Sequence, residues 1–232
     1  MSQTDILKRL GVVTVRNFLD VATCERIIAE ICESKRTPAT SYRDGRAQGV
    51  DEQKRRVLRA SVSSGLHSLV GERLREHKRM LEESFGAPLA DWEAPQFLQY
   101  RAGDFFIPHT DSSVAEGSRQ FIKRRAMSVV IFLNGESDEP AEGRFGGGSL
   151  VLYNLLSDPR TERLGFPIKA EPGTFLAFPS HIFHEVTPVK HGARYTVVTW
   201  FGRHEGDGVS EPTNGKSERP TAPAQTRDHQ PG

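Results

Sequence analysis

A histidine and an aspartate two residues apart form the first candidate site in this chain. The stretch QYRAGDFFIPHTDSS, residues 99–113, places His109 and Asp111 directly after an apolar and aromatic run. Residues i and i+2 of a strand share a face, and we expect Phe105, in the same odd-numbered register, to mark that face. An imidazole beside a carboxylate chelates iron, manganese or zinc better than calcium. If the His-x-Asp triplet is taken alone, the alternative to a metal site is a hydrogen bond between the two side chains at the surface.

A third ligand has to come from another part of the chain. The run PSHIFHEVTPV carries His181 and His184, which are three residues apart and therefore face opposite sides of a strand. We choose His184 because it lies further into the strand; His181, which follows a predicted turn, is the alternative. Two histidines, one carboxylate and open coordination positions are typical of catalytic non-haem Fe(II) sites.

A cation on a strand otherwise suited to the core is the second chemical signal. In HGARYTVVTWF, Arg194 and Thr196 alternate with apolar positions, and no acidic residue lies in that strand. A buried guanidinium without a partner is costly, whereas a ligand carboxylate would satisfy it through a bidentate pair. Fe(II), Arg194, Asp111 and a dicarboxylate such as 2-oxoglutarate are neutral in sum, as a water-poor pocket requires. The alternative is a strand-edge arginine with its head in solvent.

The pattern around these residues predicts a mainly β fold with flanking α-helices. Asp20 is expected to cap one helix, and apolar residues at helical spacing predict a second helix over 66–85, ended by Gly86. Residues 36–56 are polar without a sustained period and predict a long loop. From residue 94 short β-rich runs alternate with turn residues, which favours a double-stranded β-helix, or jelly roll, buttressed by the N-terminal helices.

The same pattern divides the chain into three parts. Residues 1–93 are predicted to hold N-terminal strands and supporting helices packed on the core, and residues 94–204 the jelly-roll catalytic core. The remaining segment, 205–232, has Val209, Ala222 and Ala224 as its only apolar side chains. It cannot bury enough surface to offset its ordering entropy, so we expect a disordered tail.

Composition argues against several classes of partner. The net charge of +1 offers no global field for nucleic acid, and no apolar stretch approaches the roughly 20 residues that span a bilayer. The N-terminus lacks a signal-peptide core, so we expect a cytoplasmic protein without nucleic-acid or membrane partners. Cys24 and Cys32 are expected to be small buried residues on one helix face. The run Lys123–Arg125 is typical of a solvated charged surface.

Four segments, taken in order, resemble one known family. YRAGDFFIPHTD is similar to a Tyr-x-x-Gly-x-x-aromatic-x-x-His-x-Asp strand, and RRAMSVVIFLN to an Arg-x-x-(Ser/Thr)…Leu-Asn strand. GGGSL is similar to a Gly-Gly-x-(Ser/Thr) turn. The run that begins with GTFLAFP and ends with VVTWF is similar to the family's distal segment, which carries a histidine and a basic residue ten positions later. Together, residues 97–202 resemble the Fe(II)/2-oxoglutarate-dependent dioxygenases, in particular their prolyl 4-hydroxylase-like branch.

The resemblance implies a role for each candidate residue. His109, Asp111 and His184 would hold Fe(2+), and Arg194 would bind the distal carboxylate of 2-oxoglutarate. The resemblance also implies that Tyr100 hydrogen-bonds this co-substrate, that Thr196 assists the Arg194 contact, and that Trp200 packs beside the site or in the core. Phe132 departs from the family, because some relatives carry a second tyrosine at that position. O2 is the other co-substrate implied, and L-ascorbate is a candidate reductant.

The resemblance further implies hydroxylation of a C–H bond, with proline in a peptide or protein as the substrate. The presence of Asp111 favours hydroxylation, because the halogenating branch lacks that carboxylate. The alternatives are an oxygenase acting on a free amino acid or small metabolite, a non-redox cupin-like metal-binding module, and a jelly roll that serves only as an interaction domain. The oligomeric state is left open.

Overall fold

The protein is described by a computed structural model that covers residues 7, 10–39, 42–43, 46–47, 51–112, 122, 124–155 and 164–204. Its helices are α1 (Val21–Glu33) and α2 (Ser64–Phe85). Its strands are β1 (Val13–Val15), β2 (Arg36–Pro38), β3 (Tyr42–Arg43), β4 (Arg46–Ala47), β5 (Arg55–Arg56), β6 (Leu58–Ala60), β7 (Gln96–Arg101), β8 (Phe105–His109), β9 (Arg125–Phe132), β10 (Gly146–Gly147), β11 (Leu150–Leu152), β12 (Phe166–Ile168), β13 (Phe175–Pro179), β14 (His184–Val186), β15 (Val189–His191) and β16 (Ala193–Gly202).

Two antiparallel sheets form the framework. The major sheet has the strand order β1-β13-β9-β16-β7-β6-β2, and the minor sheet has the order β12-β11-β14-β8-β5. Short pairs β10–β15 and β3–β4 complete the pairing in the described residues. Successive strands β13, β14 and β16 alternate between the two sheets, which is the winding of a jelly roll. The predicted mainly β fold is therefore confirmed.

Side-chain alternation in the major sheet explains its two buried faces. On β9, Val129 and Ile131 belong to the core that includes the helices, whereas Val130 and Phe132 belong to the core shared with the minor sheet. On β16, Val197 likewise joins the core on the helical side. Neighbouring residues of a strand point to opposite faces, so each central strand serves both cores. Residues facing the minor sheet are the ones that reach the candidate site.

Both helices lie against the outer face of the major sheet. Helix α1 begins after Asp20, whose side chain accepts a 2.7 Å hydrogen bond from Thr23 N, and such a cap contributes about 1 kcal/mol. Helix α2 begins two residues earlier than predicted and ends at Gly86, whose φ of 67° is left-handed. The predicted cap and the predicted helix end are both confirmed.

The predicted loop, the two cysteines and the predicted division of the chain have different outcomes in the structure. The predicted loop over 36–56 is wrong in part, because β2, β3, β4 and β5 all lie within it. Cys24 is buried as expected, but Cys32 is exposed, and both thiols are free. The predicted tail, 205–232, lies outside the described residues, and the division after residue 93 stays a prediction. Neither described helix combines the length and hydropathy needed to cross a bilayer.

Candidate metal centre

The two candidate histidines lie opposite each other on neighbouring strands of the minor sheet. His109 ends β8 and is paired in register with His184 at the start of β14, so their rings lie 4.2 Å apart. Asp111 follows β8 and brings Oδ1 to 3.7 Å from His109 Nε2 and Oδ2 to 3.3 Å from His184 Nε2. One donor atom from each residue lies within 4.8 Å of the others. The three side chains can therefore bind one metal ion.

Each histidine is oriented by the same local hydrogen bond. His109 Nδ1 lies 2.8 Å from the carbonyl of Ile107, and His184 Nδ1 lies 2.9 Å from the carbonyl of Ile182. A carbonyl only accepts, so each Nδ1 carries the proton, and the lone pair of a neutral ring stays on Nε2. Both Nε2 atoms point toward Asp111. Ligands held in this way need little reorganisation when a metal binds.

The electrostatics of the cluster favour the ligand forms of His109 and Asp111. Burial, with the charge of His184, lowers the pKa of His109 to about 3, so this ring is neutral at physiological pH. Burial would raise the pKa of the Asp111 carboxyl, but the charges of His184 and His109 outweigh it and hold the pKa well below 3.8. Burial would lower the pKa of His184, but the charge of Asp111 outweighs burial and raises this pKa above its ordinary value. Of the two rings, His184 therefore keeps its proton to the higher pH, and a metal would compete with that proton.

The predicted strand register around His109 is wrong in one respect. Phe106, not Phe105, shares the inner face with His109, and the two rings are stacked with centroids 3.5 Å apart. The register of β8 against β14 shifts between these positions, since His184 pairs with His109 and Val186 with Phe106. The Arg55 guanidinium carbon lies 4.6 Å from the centroid of the Phe106 ring, which stacks on His109. An irregular strand of this kind re-aims side chains relative to strict alternation.

Arg194 lies on the inner face of β16 and is 2% exposed. Its guanidinium is 5.1 Å from the ring of Tyr100 and 5.6 Å from that of Phe132, and Nη1 lies 3.4 Å from Thr196 Oγ1. Its Nε has no hydrogen-bond partner, and among the described residues no acidic side chain forms an ion pair with it. Tyr100 is its cross-strand partner, so the structure brings Arg194, Tyr100 and Thr196 together. An unpaired buried cation of this kind suits an anionic ligand.

Two features beside Arg194 could not be found from its own strand. Burial raises the pKa of Glu136, whereas a backbone hydrogen bond from Ala170 and the charge of Arg194 lower it. The Glu136 carboxyl therefore lies within electrostatic range of the Arg194 guanidinium. A Cβ at Gly148 would lie 3.3 Å from Arg194 Cδ, so glycine leaves room for the arginine stem. Gly148 belongs to the GGGSL turn, whereas Glu136 carried no sequence signal.

The remaining residues singled out from the sequence lie in different surroundings. His181 is exposed and lies outside the three-residue cluster. Trp200 is buried on the inner face, and its ring lies 3.6 Å from the guanidinium of Arg125. Arg125 also makes a bidentate pair with Glu93 at 2.6 and 2.7 Å, so its expected place on a solvated surface is wrong. Lys123 lies outside the described residues.

The Asp111 carboxylate has partners that the sequence reasoning missed. Ser128 Oγ donates a 2.6 Å hydrogen bond to Asp111 Oδ2 and lies 3.0 Å from Ser180 Oγ. The backbone N–H groups of Asp111 and Ser112 both donate to the carbonyl of Ser180 at 3.0 Å. A serine inside the apolar run AMSVVIF was the available signal, because a buried hydroxyl needs a partner. Which partner it would have depends on the sheet pairing.

Taken together, the centre offers two imidazoles and one carboxylate for a divalent cation, with a buried guanidinium on the facing sheet. This donor set suits Fe(II), Mn(II) or Zn(II). The buried guanidinium with an unpaired Nε fits a carboxylate of a bound organic acid.

Sequence comparisons agree with this chemistry. Residues 95–202 match the model of the 2OG-Fe(II) oxygenase superfamily. A PKHD-type hydroxylase of Idiomarina loihiensis is 33% identical over 102 residues, 44% of this chain and 38% of the relative. A PKHD-type hydroxylase of a Janthinobacterium species is 28% identical over 186 residues, 74% of this chain and 73% of the relative. The first of these alignments spans less than two thirds of the relative's length.

Solved structures share the architecture. A prolyl-4-hydroxylase of Pseudomonas putida superposes with a TM-score of 0.63 at 22% identity, over 87% of this chain and 97% of that one. A prolyl hydroxylase of Trichoplax adhaerens, in complex with a peptide fragment of the hypoxia inducible factor oxygen degradation domain, gives 0.61 at 18% identity, over 86% of each chain. Residues 95–202 are therefore similar to the 2OG-Fe(II) oxygenase superfamily, and the chain has the fold of the prolyl 4-hydroxylases with which it superposes.

Proposed function

We propose that this protein is an Fe(II)- and 2-oxoglutarate-dependent dioxygenase that hydroxylates a C–H bond, in the manner of a prolyl 4-hydroxylase acting on a peptide or protein. One observation carries the proposal. Three metal-binding side chains converge within 4.8 Å, and the inner face of the opposite sheet holds Arg194, a buried cation without an acidic partner among the described residues. A metal site alone would not require that cation.

In this proposal His109, Asp111 and His184 hold the iron, and Arg194 binds the distal carboxylate of 2-oxoglutarate. When both are bound, iron and 2-oxoglutarate supply oxidative chemistry in which one O2 is consumed, the substrate C–H becomes C–OH, and 2-oxoglutarate becomes succinate and carbon dioxide. Tyr100 and Thr196 lie beside the guanidinium and support the same carboxylate.

The protein's own residues orient the reactants and exclude water. The carbonyls of Ile107 and Ile182 fix the histidine rings before metal arrives. Phe178 packs edge-on against His184 at 4.9 Å, and Phe132 borders Arg194, so apolar surface surrounds the polar groups. A water-poor pocket strengthens the attraction between Arg194 and a bound carboxylate.

One comparison supports a peptide or protein substrate. The similar Trichoplax protein is named as a prolyl hydroxylase and is bound to a peptide fragment, whereas the name PKHD-type hydroxylase of the curated relatives gives a reaction and no substrate. We carry the substrate class of the Trichoplax protein over as a hypothesis. Hydroxylation of a free amino acid is the outcome that the experiment has to distinguish from it.

The experiment has two stages. Anaerobic titration of the Fe(II)-loaded protein with 2-oxoglutarate should produce a visible charge-transfer band, and a cupin-like module without redox chemistry would give none. Pools of proline-containing peptides and of free amino acids are then compared for substrate-dependent succinate formation in air. Succinate formed with peptides supports the proposal. A charge-transfer band followed by turnover of amino acids alone would retain the dioxygenase and reject the peptide substrate.

A further inference from the structure

Ser128 is a buried hydroxyl that touches a candidate ligand without being one. It lies on β9 of the major sheet, is 1% exposed, and its Oγ is 2.6 Å from Asp111 Oδ2. That separation is typical of a hydroxyl donating to an ionised carboxylate, which is a strong class of hydrogen bond.

Ser180 completes a short chain of hydroxyls. It is 1% exposed, and its Oγ is 3.0 Å from Ser128 Oγ. A serine hydroxyl has one proton, and Ser128 gives its proton to Asp111. The Ser180 hydroxyl therefore donates to Ser128. The Ser180 carbonyl also accepts the backbone N–H groups of Asp111 and Ser112, so the same residue holds both the backbone of Asp111 and the donor of its side chain.

The two oxygens of Asp111 consequently differ. Oδ2 accepts the Ser128 hydrogen bond and lies 3.3 Å from His184 Nε2, whereas Oδ1 lies 3.7 Å from His109 Nε2 and has no such donor from Ser128. We propose that Ser128, supported by Ser180, is a positioning residue that holds the Asp111 carboxylate in one orientation between the two histidines. This inference rests on the proposed function.

The orientation of Asp111 has a functional consequence. A carboxylate can bind a metal through one oxygen or through both, so its orientation would decide how many coordination positions it takes. The hydrogen bond from Ser128 restricts rotation of the Asp111 carboxylate. Ser128 would thus set how Asp111 binds a metal without touching substrate or co-substrate.

Cobalt(II) is a suitable test ion because its visible absorption depends on coordination number. The metal-free protein, Ser128→Ala and Ser128→Thr are titrated with cobalt(II), following heat and visible absorption. We expect Ser128→Ala to raise the Kd about tenfold or more, as is usual when the partner of a metal ligand is lost, and to change the absorption spectrum. Ser128→Thr keeps the hydroxyl and should retain the wild-type Kd and spectrum.

Thr199→Val provides a matched control. Thr199 is fully buried on the other face of the major sheet and donates a 2.6 Å hydrogen bond to the backbone carbonyl of Glu93, not to any of the three ligands. Its loss should lower the thermal midpoint but leave cobalt binding unchanged. Ser128→Ala with a wild-type Kd and spectrum would overturn the positioning role.

A second variant covers a failure of Ser128→Ala to fold. Ser180→Ala removes the supporting hydroxyl, and it should shift the Kd and spectrum in the same direction by a smaller amount; unchanged values would then overturn the inference. Wild-type protein that bound neither cobalt(II) nor Fe(II) with 2-oxoglutarate would reject the proposed function itself. Normal wild-type binding with unaffected serine variants would reject only the role of Ser128.

Discussion

The candidate centre depends on side chains whose properties are set by their neighbours. Asp111 is buried, which disfavours its charge, yet His184 and His109 hold its pKa below the ordinary value. The proximity of His109 and Asp111 was predictable, because the two residues are two positions apart in one segment. Ser128 and Glu136 were not, because their contacts depend on how distant strands are paired and on how a turn folds back.

Removal of the carboxylate should remove metal binding. Asp111→Ala leaves two imidazoles as ligands and takes no apolar side chain from either core, so we expect a folded protein. Its metal Kd should rise more than about 100-fold, beyond the range for outer partners, and turnover should be lost. Calorimetric titration and circular dichroism check the two parts. Asp91→Ala, at a carboxylate that is 96% exposed, serves as the control. Unchanged metal affinity in Asp111→Ala would contradict the ligand assignment.

Arg194 should determine affinity for 2-oxoglutarate. Loss of one partner of a buried charge pair costs at least about 2 kcal/mol, so Arg194→Met should raise the KM for 2-oxoglutarate roughly 30-fold or more. Arg194→Lys should fall between Arg194→Met and the wild type, because it keeps the charge but not the bidentate geometry. Arg79→Met, at an arginine that is 91% exposed, controls for the loss of a charge. Equal KM values in all variants would show that Arg194 does not bind the diacid.

Metal affinity should depend on pH through one proton. The raised pKa of His184 means that this ring takes up a proton as pH falls below that value, and the proton competes with the metal for Nε2. His109, with a pKa of about 3, stays neutral throughout the range from pH 5 to pH 8. Below the His184 pKa we expect the Kd to rise about tenfold per pH unit. Calorimetric titrations at several pH values measure this slope, and a hundredfold change per unit would indicate two protons instead of one.

At the scale of elements, regular strands and helices were predictable and irregular ones were not. The period of α2 and the cap of α1 are local signals, so both helices were found. The register shift in β8 places Phe106 beside His109, and a strict two-residue period had assigned that face to Phe105. The strands within 36–56 are two or three residues long, which is too short to show an apolar period. Of these strands, β2 and β5 extend sheets whose main strands lie elsewhere in the chain, whereas β3 and β4 pair with each other.

The junction between β1, α1 and β13 should be sensitive to one glycine. Gly173 has a φ of 74°, and a Cβ there would lie 1.9 Å from the Leu19 carbonyl oxygen, whereas Gly103 has a φ of 86° with nothing near its Cβ position. Gly103→Ala should therefore lower the free energy of unfolding only by the strain of a left-handed backbone, about 1–2 kcal/mol. Gly173→Ala adds a backbone clash and should destabilise more. Urea denaturation measures both, and equal losses would contradict the close approach at Leu19.

At the scale of the molecule, the centre joins the two sheets. His109 and His184 belong to the minor sheet, whereas Arg194 and Ser128 belong to the major sheet. The fold class was predictable from the number and spacing of short strands. The way in which the two sheets pack face to face decides the neighbours of Arg194. This packing depends on the whole chain and could not be predicted from a local sequence pattern.

Metal and diacid together should stabilise the whole domain. A ligand that binds only the folded state adds about 2.7 kcal/mol at about 100 times its Kd. We expect the thermal midpoint to rise on addition of cobalt(II), to rise further with 2-oxoglutarate, and to return when a chelator removes the metal. Asp111→Ala should show neither increase. A 2-oxoglutarate effect without metal, equal to that with metal, would contradict shared binding at one centre.

The two-sided burial of β9 restricts where the protein can be altered. Residues 127–132 are buried without exception, and their side chains belong to the helical core, to the core shared with the minor sheet or, at Ser128, to the centre. Phe183, by contrast, is 51% exposed and immediately precedes a candidate ligand. An engineer who wants to attach a dye or spin label close to the chemistry should therefore choose position 183 and leave β9 intact.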